Sequence, residues 1–399
     1  MSHRIFVTGI GIVCAAGNSA SETLSSLAAQ KSGISGMQYL DSRLKDLFPV
    51  GEVKLSNKDL CDNLSIPIKN YSRTYLLALT AAREAAGEMI ENYNPSRLGI
   101  VSGSTVGGMD LSEKYFQSVY AGIDADISDL KQHDCGFSTE LIAEKLGIKG
   151  YLSTVSTACS SSANSIIHAS MLIKSGIIDA AVAGGVDSLA KFTLNGFHSL
   201  KILDSKLCSP FDENRSGLNL GEGAAFLFIE SERSASSHMN DVICEIKGFG
   251  NSCDAFHQTA MSEEGIGPKL AMRSALNSAS LDPSEIDYIN LHGTGTSNND
   301  LSEGHAIEEV FSGAIPFYSS TKSYTGHTLG AAGAVEAVIS ALSLKTNTIY
   351  PNINFTTKMK ELSTAPVSVI MKNDNLRNIM SNSFGFGGNN SSIIFSKVE

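Results

Sequence analysis

Two spacings of apolar residues alternate along the chain. "RIFVTGIGIV" (4–13), "RLGIVSGST" (97–105) and "DAAVAGGV" (179–186) are short, nearly continuous apolar stretches bounded by polar or glycine-rich turns, as strands buried on both faces read. "SRTYLLALTAAREAAGEMIENY" (72–93), "STELIAEKLG" (138–147) and "SIIHASMLIKSG" (165–176) instead repeat apolar positions at helical spacing, and a further helix is predicted near 21–30. Alternation of this kind predicts an α/β protein with largely buried sheets.

The order of elements also repeats. The first half runs "YLLALTAAREAAG", "LGIVSGST", "STVSTACSSSANSIIHASML" and "SGLNLGEGAAFLFIE". The second half runs "GPKLAMRSALNSASL", "YINLHGTGT", "SSTKSYTGHTLGAAGAVEAVISAL" and "NSFGFGGNNSSIIFS". Four segments in one order argue for a duplication, with unequal insertions mostly around 106–137. The predicted units are 1–240 and 241–399, with a cleft where they meet.

Composition narrows the class. With 399 residues, 42% of them hydrophobic, the chain can bury one large core or two fused ones. A net charge of −11 argues against a general nucleic-acid or anionic-membrane binder. The start, "MSHRIFVTGIGIV", has no signal-peptide pattern, and no apolar run approaches the ~20 residues that cross a bilayer. The seven cysteines stand singly, without a C-x-x-C pair, so neither a disulfide framework nor a metal site is expected. The expectation is a cytoplasmic protein.

Cys159 falls in the turn between "YLSTVST" and an apolar helix, among small and hydroxyl neighbours. A helix N-terminus presents unpaired N–H groups and a positive dipole end. That siting is expected to lower a thiol pKa by one or more units from ~8.5. Alone, the residue also reads as a small buried hydrophobe. His292 at a strand end, Lys322 and His327 before an Ala/Gly-rich helix, and the glycine-rich turn around Phe386 each have ordinary readings too. Together they place one thiol in the first half and two imidazoles at matching loops of the second. "VTGIGIVCAAG" is not a dinucleotide fingerprint, because Cys14 stands where the third glycine is needed. A thiol protease would explain neither the duplication nor the second histidine.

The four motifs jointly resemble the β-ketoacyl-acyl-carrier-protein synthases, condensing enzymes of the thiolase-like superfamily. The likeness runs from "RIFVTGIGIVCAAGN" through "SPFDENRSGLNLGEGAAF" to "NSFGFGGNN", essentially the whole chain. The Cys-His-His set resembles the elongating branch; the initiating branch uses Cys-His-Asn. The resemblance implies a thiolase-like fold, two duplicated halves in a five-layer α-β-α-β-α core, working as a homodimer or as a heterodimer with a related ketosynthase-like chain. It implies no cofactor, since the phosphopantetheine arm belongs to the acyl carrier protein. A degradative thiolase would need a second active cysteine near the C-terminus, and none follows Cys253.

Carried over by position, the resemblance implies that Cys159 accepts the acyl chain as a thioester. The amides of Cys159 and Phe386 would form the oxyanion hole. His292 and His327 would donate hydrogen bonds to the malonyl thioester oxygen, tuned by Lys322 and Glu336, with Asp300 and Glu303 as supporting acids. Phe386 matches a gating phenylalanine, and Asp254 and His257 match a second gating loop. Thr294 and Thr296 would bind the pantetheine amides. Val106 would lie at the acyl-chain end, and Cys135 would reach across the dimer. Lys69, Arg73 and Lys201 match docking positions for the carrier protein. Some positions depart from the fatty-acid pattern: "HGTGT" for "HGTST", Ser297-Asn298-Asn299 for Pro-Leu-Gly, "GGNN" for "GGTN", and Ser209 for a common arginine. With the small Val106 and Cys135, these departures raise a type II polyketide or aryl-polyene pathway as the alternative to fatty-acid elongation.

Overall fold

The computed structural model describes residues 4–398; the remaining residues of the two expected units, at either end of the chain, lie outside it. The strands of its main, ten-stranded sheet are β1 (Ile5–Cys14), β2 (Leu98–Gly103), β3 (Leu152–Val155), β4 (Ala180–Asp187), β5 (Gly223–Ser231), β6 (Cys244–Cys253), β7 (Tyr288–Asn290), β8 (Phe317–Ser319), β9 (Asn378–Phe384) and β10 (Asn389–Ser396). In the first half β3, β2 and β4 are parallel, and β5 and β1 follow antiparallel. In the second half β8, β7 and β9 are parallel, and β10 and β6 follow antiparallel. The same pairing scheme therefore occurs twice. The two sheets meet edge to edge through β1 and β6, where Phe6 faces Glu245 and Val7 faces Cys244.

Five helices complete the layers: α1 (Arg73–Ala86), α2 (Ser161–Lys174), α3 (Ile266–Ala279), α4 (Ser297–Val310) and α5 (Ala332–Thr346). Helix α1 packs on β1 and β5, and α3 packs on β6 and β10. Between the sheets lie α2 and α5, which touch each other as well as both sheets. Their approach depends on small residues. A Cβ at Gly333 would stand 2.8 Å from that of Ala163, and the Ala334 N–H reaches the Ser162 hydroxyl at 2.9 Å.

Two expectations change here. The helix predicted over 72–92 stops at Ala86 and continues only as a 3-10 turn, because Gly87 takes φ +50°. Leu329–Thr346 is also long and apolar enough, by length and composition, to cross a bilayer. Its alanines, glycines and single Glu336 hide that length in the sequence. The stretch is 89% buried in the middle layer, where a core helix must be apolar all round.

Candidate active site

Cys159 sits on a tight turn between β3 and α2. The preceding Ala158 is held at φ +54°, a strained setting for a residue with a Cβ. The turn is pinned by Thr157 N–H to the Ser161 hydroxyl (2.8 Å) and by the Ser160 hydroxyl to the Asn389 side-chain carbonyl (2.8 Å). Asn389 also accepts from Asn164 (2.7 Å) and Asn251 (3.0 Å), so it ties the nucleophile turn to the Phe386 turn.

From the second half, β7 ends just before His292. On α4, Glu303 accepts the His292 N–H (2.9 Å) and the Gly293 N–H (2.8 Å), and Asp300 accepts the Thr294 N–H (3.0 Å) and the Phe211 N–H (2.7 Å). These two acids build the loop rather than act in the cavity. His327 is set by backbone pairing to the first half: its N–H donates to Asn219 (2.8 Å), and its carbonyl accepts from Gly221 (2.9 Å).

The side chains converge. His327 Nε2 is 3.1 Å from Cys159 Sγ, and the two imidazoles meet edge to face, 5.3 Å apart at 85°. One donor atom from each of Cys159, His292 and His327 lies within 4.8 Å of the others. Behind them Lys322 and Glu336, both buried, form an ion pair. The three ammonium hydrogens have three acceptors: Glu336, the His292 carbonyl and His292 Nδ1 at 3.3 Å.

An ammonium only donates, so His292 Nδ1 accepts and the ring hydrogen sits on Nε2. The Leu329 N–H likewise donates to His327 Nδ1 (3.3 Å), leaving its hydrogen on Nε2. Both rings therefore aim an N–H into the cavity. Ligating a metal through both Nε2 atoms would set ring N–H groups against the Lys322 ammonium and the Leu329 amide, so the donor set fits a metal poorly.

Burial and then the Lys322 charge hold both imidazoles well below their usual pKa, with His327 adding to the effect on His292; both are neutral near pH 7. Burial likewise raises Glu336 to about 7, against the pull of Lys322. The Cys159 thiol is pushed up to about 11 by burial, opposed by the Lys322 charge and the backbone N–H groups of Phe386 and Cys159. This corrects the expectation of a lowered thiol pKa. Donors do face the sulfur, but α2 begins only at Ser161, and desolvation of a 6% exposed thiol outweighs them.

Two cavities meet at Cys159 and Phe386. One, of about 300 Å³, is lined by Thr294, Thr296, Lys201, Asn298, Met261 and both histidines. The other, of about 400 Å³, is mostly apolar and is lined by Val106, Met109, Phe192, Phe197 and Leu329. The Phe386 ring stacks on Phe197 at 5.9 Å and 16°, between the two. Asp254 and Gln258 hold this turn from outside: Asp254 N–H donates to Gly388 (3.2 Å), and Gly387 N–H donates to Gln258 (2.8 Å). The Asp254 carboxylate wedges beside Gly267 and Gly388 and accepts no hydrogen bond among the described residues.

Other expected positions lie apart. His257 is exposed and lines neither cavity; its Nδ1 accepts the Thr259 N–H at 3.2 Å. Cys135 opens a helix beside Ser104 and Asp187, off both linings. Lys69 is exposed away from the cavities, and only Lys201 stands at a cavity lip. Arg73 is a correction. It is buried, and all five guanidinium N–H groups are occupied by Glu222, Asn57 and the carbonyls of Val53 and Leu55, so it cannot meet a carrier protein.

Sequence reasoning missed Asp187. Fully buried, it accepts from Ser104 (2.8 Å), the N–H groups of Thr105 and Val106 (2.9 Å each) and Gly330 N–H (2.7 Å), and so shapes the apolar cavity. The available signal was an acid closing an otherwise apolar strand.

Comparison with known proteins agrees with this geometry. Residues 2–235 match the family model "Beta-ketoacyl synthase, N-terminal domain", and residues 243–356 match "Beta-ketoacyl synthase, C-terminal domain". The chain is 33% identical to 3-oxoacyl-[acyl-carrier-protein] synthase 2 of Staphylococcus aureus (strain N315), covering 100% of this chain and 99% of that protein. It is 33% identical to the protein of the same name from Coxiella burnetii, over 99% of each. Among solved structures, the ishigamide ketosynthase/chain length factor superposes with a TM-score of 0.93 at 29% identity over 100% of both chains. A ketosynthase in complex with its chain length factor from Xenorhabdus doucetiae gives 0.87 at 31% identity, over 99% of this chain and 98% of that one. With a thiol, two Nε2–H imidazoles and a lysine–glutamate pair at the junction of its repeats, the chain belongs to the β-ketoacyl synthase family of condensing enzymes.

Proposed function

We propose that the protein is a 3-oxoacyl-[acyl-carrier-protein] synthase that condenses an acyl group, held on Cys159, with malonyl-acyl carrier protein. In the first step the Cys159 sulfur bonds to the acyl carbonyl carbon and gives up its proton, and the pantetheine thiolate leaves and takes up that proton. The oxyanion would accept from the Cys159 and Phe386 amides, both of which face the sulfur. A thiol with a pKa of about 11 is mostly protonated near pH 7. The thiolate is therefore made as it reacts, with the His327 Nε2–H donating to it.

In the second step the malonyl carboxylate leaves as CO₂. Its bonding electrons pass to the thioester as an enolate, whose oxygen accepts from the Nε2–H groups of His292 and His327. The enolate carbon then attacks the acyl carbonyl, and Cys159 departs as thiolate. Neutral imidazoles suit this task, because each must give a hydrogen bond without losing a proton. The chemistry calls for no resident cofactor: the pantetheine arm arrives on the carrier protein, along the cavity lined by Thr294 and Thr296.

The convergence of one thiol and two outwardly polarised imidazoles is the observation that carries this reading. Fatty-acid chain elongation is the first assignment, in the cytoplasm, where seven unpaired thiols stay reduced. The small Val106 beside the 400 Å³ apolar cavity favours a second: a specialised pathway taking a long, rigid or unsaturated chain, in partnership with a chain-length-factor-like subunit. Intact-mass measurement after incubation with candidate acyl carriers tests both, since the mass gained at Cys159 names the acyl group. No gain with any acyl carrier would sink the condensing role. Native mass of the chain alone, as a homodimer or as a monomer awaiting another subunit, separates the partnerships.

A further inference from the structure

Asn389 stands where the family pattern has a threonine, "GGNN" for "GGTN". It is the first residue of β10, directly after the Phe386 turn, and its side chain reaches back across the junction of the two halves. Three donors converge on its side-chain oxygen: the Ser160 hydroxyl at 2.8 Å, the Asn164 amide at 2.7 Å and the Asn251 amide at 3.0 Å. They come from the nucleophile turn, from α2 and from β6. A threonine would hold its oxygen one bond nearer the backbone.

The link is braced on both sides. Asn164 also donates to the Thr157 hydroxyl (2.9 Å), and its own side-chain oxygen accepts from Asn251 (2.9 Å) and from the Ser391 hydroxyl (2.8 Å). The Asn389 backbone carbonyl accepts the Gly385 N–H at 2.8 Å and closes the Phe386 turn. Gly385 lies against the nucleophile turn, where a Cβ would stand 3.0 Å from the Thr157 carbonyl oxygen and 3.2 Å from the Cys159 nitrogen. The two turns therefore touch at Gly385 and are fastened at Asn389, and Phe386 lies between these points in the chain.

We propose that Asn389 is a positioning residue for acyl transfer: by holding the Phe386 turn against the nucleophile turn, it sets the separation of the Cys159 and Phe386 amides that together receive the oxyanion. This rests on the reading of those two amides as the oxyanion hole. One amide belongs to each half, so their spacing depends on contacts made across the junction. A misplacement of about 1 Å at a reacting centre can cost on the order of 10²-fold in rate.

Two reactions of Cys159 separate this role from a general loosening of the turn. Acylation by octanoyl-acyl carrier protein, or by whichever acyl carrier labels the unmodified protein, passes through a tetrahedral oxyanion. Iodoacetamide loses iodide from a tetrahedral carbon and forms none. In Asn389→Ala the single-turnover acylation rate at saturating carrier is expected to fall about tenfold, part of the ~10²–10³-fold that removal of a whole donor costs. Alkylation of Cys159, distinguished from the exposed Cys253 by peptide mass analysis, should keep the rate of the unmodified protein. Unchanged acylation, or an equal fall in both reactions, overturns the proposal. Asn389→Ser replaces the alanine variant, under the same criterion, if melting curves show that it does not fold. Acylation of the unmodified protein reads the condensing role and the variant's ratio reads the link, so the two failures are distinct.

Discussion

The two halves share one strand-pairing scheme but furnish its loops differently. After β2, Thr105 and Val106 are gathered by a buried acid, Asp187, and the loop becomes an apolar wall. After β7, His292, Gly293 and Thr294 are gathered by Glu303 and Asp300, and the loop becomes a row of hydrogen-bonding groups. The turns into the paired central helices differ in the same way: a thiol before α2, a lysine and a histidine before α5. Carboxylates that accept backbone N–H groups can hold either loop, so the scaffold stays constant while the chemistry divides. One half would hold the acyl chain covalently, and the other would stabilise negative charge.

The strongest way to break this division is to remove its shared atom. Cys159→Ala is expected to lower condensation by more than about 10³-fold, as loss of a covalent nucleophile does. Intact mass should then show no acyl adduct from any carrier. An adduct on another cysteine would undo the assignment of the first half.

The next test asks whether the second half acts separately. His292→Ala and His327→Ala should each lower condensation by ~10²–10³-fold, the usual effect of losing a preorganised donor to a developing oxyanion. Single-turnover acylation of Cys159 should survive in both. His327, 3.1 Å from the sulfur, should affect acylation more than His292 does. Equal loss of both steps in both variants would mean that the halves do not divide the work.

Much of this arrangement was legible because its residues come in short motifs with fixed neighbours. Cys159 before a helix, "HGTGT", and Lys322 and His327 before an Ala/Gly-rich helix all mark strand-end loops, and the duplicated order put them opposite one another. What sequence hid were long-range partners and burial. Arg73 opens a helix, where a cation reads as solvated, yet its partner Glu222 lies far along the chain, on the segment leading into β5. Asp187 gave no sign of the loop it organises. The thiol was misjudged because the local rule concerned the helix end, whereas the outcome depended on desolvation, which only the packed structure reveals.

Titration of that thiol sharpens the comparison further. Iodoacetamide reactivity at Cys159 should keep climbing with pH toward about 11, without a plateau near neutrality. The Lys322 charge favours the thiolate and disfavours both imidazolium forms. In Lys322→Met the thiol pKa should therefore rise, and alkylation at pH 9 should slow, while the two histidines move back up toward their ordinary range. A thiol that titrates near 7 in the unmodified protein would show that helix-end electrostatics outweigh burial after all.

The smallest expected effect concerns the apolar wall. Val106 lines the cavity beyond Phe386, and its N–H is fixed by Asp187, so a larger side chain there cannot retreat by shifting the backbone. Val106→Phe should shorten the usable cavity and change the ratio of kcat/KM between C8 and C16 acyl carriers by about tenfold in favour of the short chain, the discrimination a hydrophobic pocket gives for a few carbon atoms. The rate of malonyl decarboxylation depends on groups from the other half and should stay the same. Native preference for long or polyene chains, lost in the variant, would assign chain selection to the first repeat. A parallel loss of decarboxylation would show instead that the wall and the donor row move as one, because Leu329 and Gly330, between His327 and α5, complete the same cavity.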